Sequence, residues 1–258
     1  MNEFLLLHQP KTAGTFATRS LPAGYVLPHN QNYHFCVKNN IVKENQELVC
    51  IARNPIDYYI SLITFWCLDG KWNATIKDSE EARAAAYKAV SQRYDSGLPI
   101  DSHPAFFMSE GYLADFDTII NNIFDDDFLE KYSNVLSKSH HTYDYYVFRE
   151  MKRLDIGYYT FAFLDQYSPK KITDIKSNEE CLEEIVKIKS NFTIIKTSSI
   201  ESDLAELTKR FNIKFTPPDS KPMSSNRKPI EEYNIEGKLL ETIKKKDGHI
   251  FNQLFKNG

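Results

Sequence analysis

Three groups of residues in this sequence have the types and spacing for chemistry on an anion. Pro10-Lys11-Thr12-Ala13-Gly14-Thr15 gathers a cation, two hydroxyls and two small residues into six positions. Small residues let backbone N–H groups come close to an anion, and a helix start behind them adds donors and a favourable dipole. The order differs from the GxxxxGK[ST] nucleotide loop, because Lys11 comes before Gly14 instead of following a glycine. The second group is Arg53-Asn54-Pro55-Ile56-Asp57 with Ser61. A guanidinium at a strand end and a hydroxyl on the helix face that carries Asp57 could close on one phosphate, the arginine offering a planar fork of donors. The third group is a pair of histidines between the first two, His29 and His34. An imidazole that titrates near neutrality suits the removal of a proton from a hydroxyl. Each group alone also has a plain reading: a turn and helix cap at 10–15, an arginine that caps a neighbouring element, a tyrosine-flanked histidine bonded to a backbone carbonyl.

These residues need elements to position them. Phe4-Leu5-Leu6-Leu7 is an uninterrupted apolar run ended by His8-Gln9-Pro10, which predicts a strand buried on both faces and a helix from near Thr12. Glu47 to Ala52 repeats the pattern, with Asn54 as a helix N-cap, Pro55 in the first turn and an apolar stretch to Leu68. A third strand is expected from Phe192 to Lys196, followed by a helix from Asp203 to Phe211. Ser79 to Tyr94 reads as helix, whereas the aromatic and acidic stretch from Phe106 to Phe163 shows no resolvable period. Strands interleaved with helices imply an α/β fold with a mostly parallel central sheet flanked by helices. Ligands of such sheets bind outside the carboxyl ends of the strands, where Lys11 and Arg53 fall.

Composition narrows the classes. The 258 residues are 41% hydrophobic and 26% charged, enough for one core, and only 9 glycines argue against a flexible linker, so a single domain over 1–258 is expected. A net charge of -3 with a pI near 6.2 provides no global field for nucleic acid, so a polyphosphate ligand has to be held locally. Lys244-Lys245-Lys246 and Lys209-Arg210 read as solvated helix faces. Cys36, Cys50, Cys67 and Cys181 show no metal-ligand spacing and read as buried thiols, and His140-His141 lacks partners for a metal. The apolar run at Phe4 starts too early for a signal peptide, and no run of about 18 apolar residues is present. A cytoplasmic protein with no membrane span is expected; a catalytic domain trimmed from a membrane-anchored parent is the other reading.

Taken together, the first two motifs resemble a known family. Phe4 to Thr15 resembles the 5'-phosphosulfate loop of sulfotransferases that use 3'-phosphoadenosine-5'-phosphosulfate (PAPS), and Arg53 to Asp57 with Ser61 resembles their 3'-phosphate motif. The Pro-Lys-Thr-Ala-Gly-Thr form is closest to carbohydrate sulfotransferases such as the heparan 2-O group. Weaker likeness continues at Phe192 to Leu204 and at Ser225-Asn226-Arg227-Lys228, which resembles a basic loop over the donor. The resemblance implies that Lys11 meets the oxygen bridging phosphate and sulfate, that Thr12, Ala13, Gly14 and Thr15 hold the 5'-phosphate, and that Arg53 and Ser61 hold the 3'-phosphate. It places Thr197 beside the adenine, where the family often has tyrosine, and Arg227 with Lys228 at a second 3'-phosphate contact. In the 2-O group a catalytic histidine precedes the 3'-phosphate strand by about the distance at which His34 stands, with His29 the alternative base. The implied activity is in-line transfer of a sulfuryl group from PAPS to a hydroxyl, with Lys11 and His34 catalytic, 3'-phosphoadenosine-5'-phosphate (PAP) as product and no metal, on a P-loop-like sulfotransferase fold. The acceptor implied is a carbohydrate, on a glycan or glycoconjugate. A small-molecule alcohol or phenol sulfotransferase and a non-catalytic nucleotide-binding module are the alternatives, while a P-loop kinase lacks its GK[ST] signature here.

Overall fold

The computed structural model describes residues 3–10, 12–28, 31–64, 120, 123–125, 142–219, 232–233 and 235–255. In chain order these form β1 (Phe4–Leu7), α1 (Gly14–Ser20), α2 (Tyr33–Lys38), β2 (Glu47–Ala52), α3 (Pro55–Thr64), α4 (Thr142–Leu154), α5 (Tyr158–Tyr167), α6 (Asn178–Asn191), β3 (Thr193–Lys196), α7 (Ile200–Arg210), α8 (Gly237–Lys246) and α9 (Gly248–Ile250), which runs into a π-helical turn at Phe251–Phe255. Short 3₁₀ turns occupy Ile172–Asp174 and Thr197–Ser199.

The three strands form one parallel sheet in the order β1-β2-β3, with Leu7 beside Cys50, Cys50 beside Ile194 and Ala52 beside Lys196. Phe4, Leu6, Val49, Ile51 and Ile195 pack with Phe16 and Ala17 of α1 and with Ile200, Leu204 and Leu207 of α7. The alternate residues Leu5, Leu7, Leu48, Cys50 and Ala52 are buried as well, so both faces are covered. That is why these strands read as continuous apolar runs and not as alternating ones. The mixed α/β class with a parallel sheet flanked by helices agrees with the sequence expectation.

Two helix starts differ from expectation. The first helix begins at Gly14, two residues past Thr12, because Ala13 sits in the left-handed region at φ 61° and ψ 25° and stops the turn from continuing upstream. α7 starts at Ile200 instead of Asp203, directly after the 3₁₀ turn. α4 and α5 lie in the stretch whose period could not be read. α5 buries Tyr159, Thr160, Phe161, Phe163, Leu164, Gln166 and Tyr167, and a helix buried nearly all round has no polar face to mark its period. α6 went unread too, although it has ordinary signals: the Ser177 hydroxyl accepts from Glu180 N at 3.3 Å, and Cys181, Glu184, Ile185 and Ile188 form its buried stripe. The helix expected at 79–94, the end of the apolar stretch at Leu68, Cys67 and His140-His141 lie outside the described residues.

The chain divides into two compact units, one of residues 1–58, 154–222 and 243–258 and one of residues 59–153 and 223–242. The first contains the sheet. In the second, the Tyr59 and Phe124 rings meet edge-on at 5.1 Å, the hydroxyls of Thr64 and Tyr233 lie 3.1 Å apart, and the buried Glu150 carboxylate is bridged by Arg149 and Arg153. Among the described residues no helix is long and apolar enough to cross a membrane.

Candidate anion-binding site

At the exit of β1 the chain turns tightly on Gln9. The Gln9 carbonyl accepts from the Thr12 hydroxyl at 2.7 Å and from Thr12 N at 3.4 Å, and Gln9 N donates to the Tyr167 hydroxyl at 3.1 Å. Thr12 is fully buried, so its hydroxyl serves the turn. Ala13 then takes its left-handed conformation and offers no side-chain cap to α1. The amides of Gly14, Thr15 and Phe16 precede the first helical bond, which runs from Ala17 N to Ala13 O at 3.2 Å, so they are the donors this turn can present to an anion. A Cβ at position 14 would stand 2.1 Å from the His8 ring, so any other residue there requires that ring to shift. Ala13 is half-buried and Thr15 exposed.

At the exit of β2, the Asn54 side chain accepts from Ile56 N at 3.0 Å and starts α3 as its composition predicts. Arg53 N donates to the Tyr159 hydroxyl at 2.8 Å. The Arg53 side chain is 11% exposed, with Nε 4.0 Å from Asp57 Oδ2, one turn along the chain. Ser61 is half-buried one turn beyond Asp57 on α3, in the part of that helix that belongs to the second unit. Because Ala52 pairs with Lys196, Arg53 and Thr197 leave the sheet as neighbours; Thr197 is half-buried and opens the 3₁₀ turn. The Lys196 ammonium lies 5.4 Å from the centre of the Phe255 ring.

One helix holds both exits. Tyr159 and Tyr167 are eight residues apart on α5, which puts them on one face, and both are fully buried. Tyr167 accepts from Gln9 N and lies 3.2 Å from the Ile51 carbonyl, to which it donates, so a single phenol joins the ends of β1 and β2. Burial pushes both phenols well above the usual tyrosine range and keeps their protons on. Phe163 lies between them with its ring edge-on to each, and Tyr58 of α3 stacks on Tyr159 at 4.2 Å. The start of α5 is capped from far along the chain: Gly157 has no side chain to offer, and Asp247 Oδ1 accepts from Thr160 N at 2.8 Å and from the Thr160 hydroxyl at 2.7 Å. A Cβ at Gly157 would stand 2.3 Å from the Asp247 carboxylate.

The histidine expected to act as base is His34. His34 lies half-buried on α2 with Nδ1 3.3 Å from the Pro169 carbonyl, and its neighbour Tyr33 meets Phe192 edge-on at 5.3 Å, at the amino end of β3. Among the described residues no hydrogen bond joins His34 to residues 9–15 or to Arg53. Lys11, His29, Arg227 and Lys228 lie outside the described residues. Cys36, Cys50 and Cys181 are buried and in no disulfide, and burial pushes the Cys36 thiol up to about 11. Among the described residues no group of three histidine, cysteine or acidic side chains could hold a metal ion. The sequence reading missed Gln9, Tyr159, Tyr167 and Asp247. The eight-residue tyrosine spacing was a visible signal, whereas Asp247 meets Thr160 across 87 residues, a contact with no local trace. Compared with protein-family models, curated proteins and solved structures, the chain matches none.

Proposed function

We propose that this chain is a sulfotransferase that moves a sulfuryl group from PAPS to a hydroxyl of a glycan or glycoconjugate, on a P-loop-like sulfotransferase fold and in the cytoplasm. The observation that carries this reading is the exit of two anion-suited turns, 9–15 and 53–57, from neighbouring parallel strands, each tied by a backbone N–H to a phenol of α5. Two separate turns suit a ligand with two separate phosphates. In this reading the amides of Gly14 and Thr15 receive the 5'-phosphate, and Arg53 and Ser61 the 3'-phosphate. Thr197 lies beside the adenine and Arg227 adds a second cation. Lys11 stabilises charge that builds on the departing phosphate oxygen, and His34 takes the proton of the acceptor hydroxyl. The donor supplies an activated sulfuryl group: the acceptor oxygen bonds to sulfur as the sulfur–oxygen bond to the phosphate breaks, and PAP leaves.

Calorimetry with PAP, ADP and ATP, with and without magnesium, tests the reading. PAP is expected to bind well and ATP poorly, with no effect of magnesium; equal affinities for PAP and ATP would reject it. A second reading is a module that binds the nucleotide without catalysis, since the bond from His34 Nδ1 to the Pro169 carbonyl suits a structural histidine as well as a base. Transfer of labelled sulfate to a panel of glycan, alcohol and phenol acceptors separates the two. With any acceptor that works, His34→Ala should lose roughly 10²- to 10⁴-fold in turnover at unchanged PAP affinity, and full turnover in that variant would remove His34 from the role of base.

A further inference from the structure

Gln9 is 1% exposed, and neither its Nε2 nor its Oε1 has a hydrogen-bond partner among the described residues. The backbone of the same residue is fully used, its N–H on Tyr167 and its carbonyl on Thr12. A buried amide without partners carries a desolvation cost that leucine or methionine of similar size would avoid, and such groups are rare in folded proteins. Its place is equally specific: it opens the turn at the exit of β1, at the carboxyl edge of a parallel sheet, where ligands of such sheets bind.

We propose that the Gln9 carboxamide is a ligand-binding group. Its Nε2 donates to an oxyanion held by this turn. A sulfate ester or a fully ionised phosphate ester has no proton for Oε1, so such a ligand must also bring a hydroxyl, a pairing found on a phosphorylated or sulfated sugar. The inference rests on the reading of residues 9–15 as an anion site and deepens it by naming a direct contact and the ligand chemistry that satisfies both amide atoms.

The test uses the full chain and Gln9→Met, which keeps the length of the side chain and removes both polar atoms. Unfolding temperature without ligand and affinities for PAP, inorganic phosphate and inorganic sulfate are measured on both proteins. Gln9→Met should be as stable as the parent or more so, since two unpartnered polar atoms leave the interior, yet bind PAP about 10- to 150-fold more weakly, the range for a hydrogen bond to a charged group. Unchanged PAP affinity overturns the proposal and assigns the amide to an internal water, leaving the sulfotransferase reading intact. If the parent binds phosphate or sulfate but not PAP, and Gln9→Met weakens that binding, the contact stands and the nucleotide reading falls. No binding of any of the three by the parent overturns both. Should Gln9→Met fail to fold, the side-chain NH₂ resonances of Gln9 in the parent decide: they should shift on saturation with PAP or the inorganic anion, and resonances that stay in place refute the contact.

Discussion

Arg53 has a backbone task and a side-chain task, and a substitution separates them. Its N–H is held by Tyr159 whatever the side chain, so Arg53→Ala should fold and lose only the guanidinium. A charge-assisted contact to phosphate is worth about 1.5–3 kcal/mol, so PAP should bind roughly 10- to 150-fold more weakly. Adenosine-5'-phosphosulfate, which lacks the 3'-phosphate, should bind as before. Equal weakening of both ligands would make Arg53 a structural residue. Asp165 gives a second prediction at this scale. Its carboxyl ordinarily titrates near 3.8, and burial pushes it up to about 6. The folded state therefore holds this proton more tightly than the unfolded chain, and the stabilisation is complete below pH 3.8 and lost as the pH rises through about 6. Asp165→Asn, which stays neutral, should match the parent near pH 4 and exceed it in melting temperature at pH 7. A difference between the two that does not change with pH would show that Asp165 titrates as an exposed carboxylate.

At the scale of elements, α5 sets where the two turns stand. Tyr167→Phe leaves Gln9 N–H and the Ile51 carbonyl without their phenol, and Tyr159→Phe does the same to Arg53 N–H. Each should cost about 1–3 kcal/mol of stability and weaken PAP as the turns lose their fixed separation. Phe163→Leu on the same helix is the control: it loses packing between the two tyrosines and touches neither turn, so melting temperature should fall with PAP affinity retained. If Phe163→Leu weakens PAP as much as the tyrosine variants, α5 acts through stability alone. The strands and the start of α3 were legible in the sequence because each has a local cause: apolar runs for strands covered on both sides, Asn54 and Pro55 for the helix start. α5 was not, since a helix buried nearly all round shows no period. The left-handed Ala13 was not either, because that conformation suggests glycine and here an alanine adopts it. Of the site, the turn residues and Arg53 could be read from motif and spacing, but the phenols that tie their backbones come from a segment more than 100 residues away in sequence from both Gln9 and Arg53.

For the molecule as a whole, the two units share helices. Residues 55–58 of α3 belong to the first unit and the rest to the second, and α8 is divided in the opposite order, with 237–242 in the second unit and 243–246 in the first. A single domain over 1–258 then predicts one unfolding transition, coincident by far-ultraviolet circular dichroism and by aromatic fluorescence, and raised as a unit by PAP. Two separated transitions would instead show two domains. The cap on α5 bears on how the chain comes to life during synthesis. β1, β2, their turns and α5 have all left the ribosome while Asp247, 87 residues beyond Thr160, is still to be made. Until it emerges, the helix that pins both turns has a bare glycine at its start, so nascent chains stalled short of residue 247 should hold all the residues of the anion site and yet fail to retain PAP.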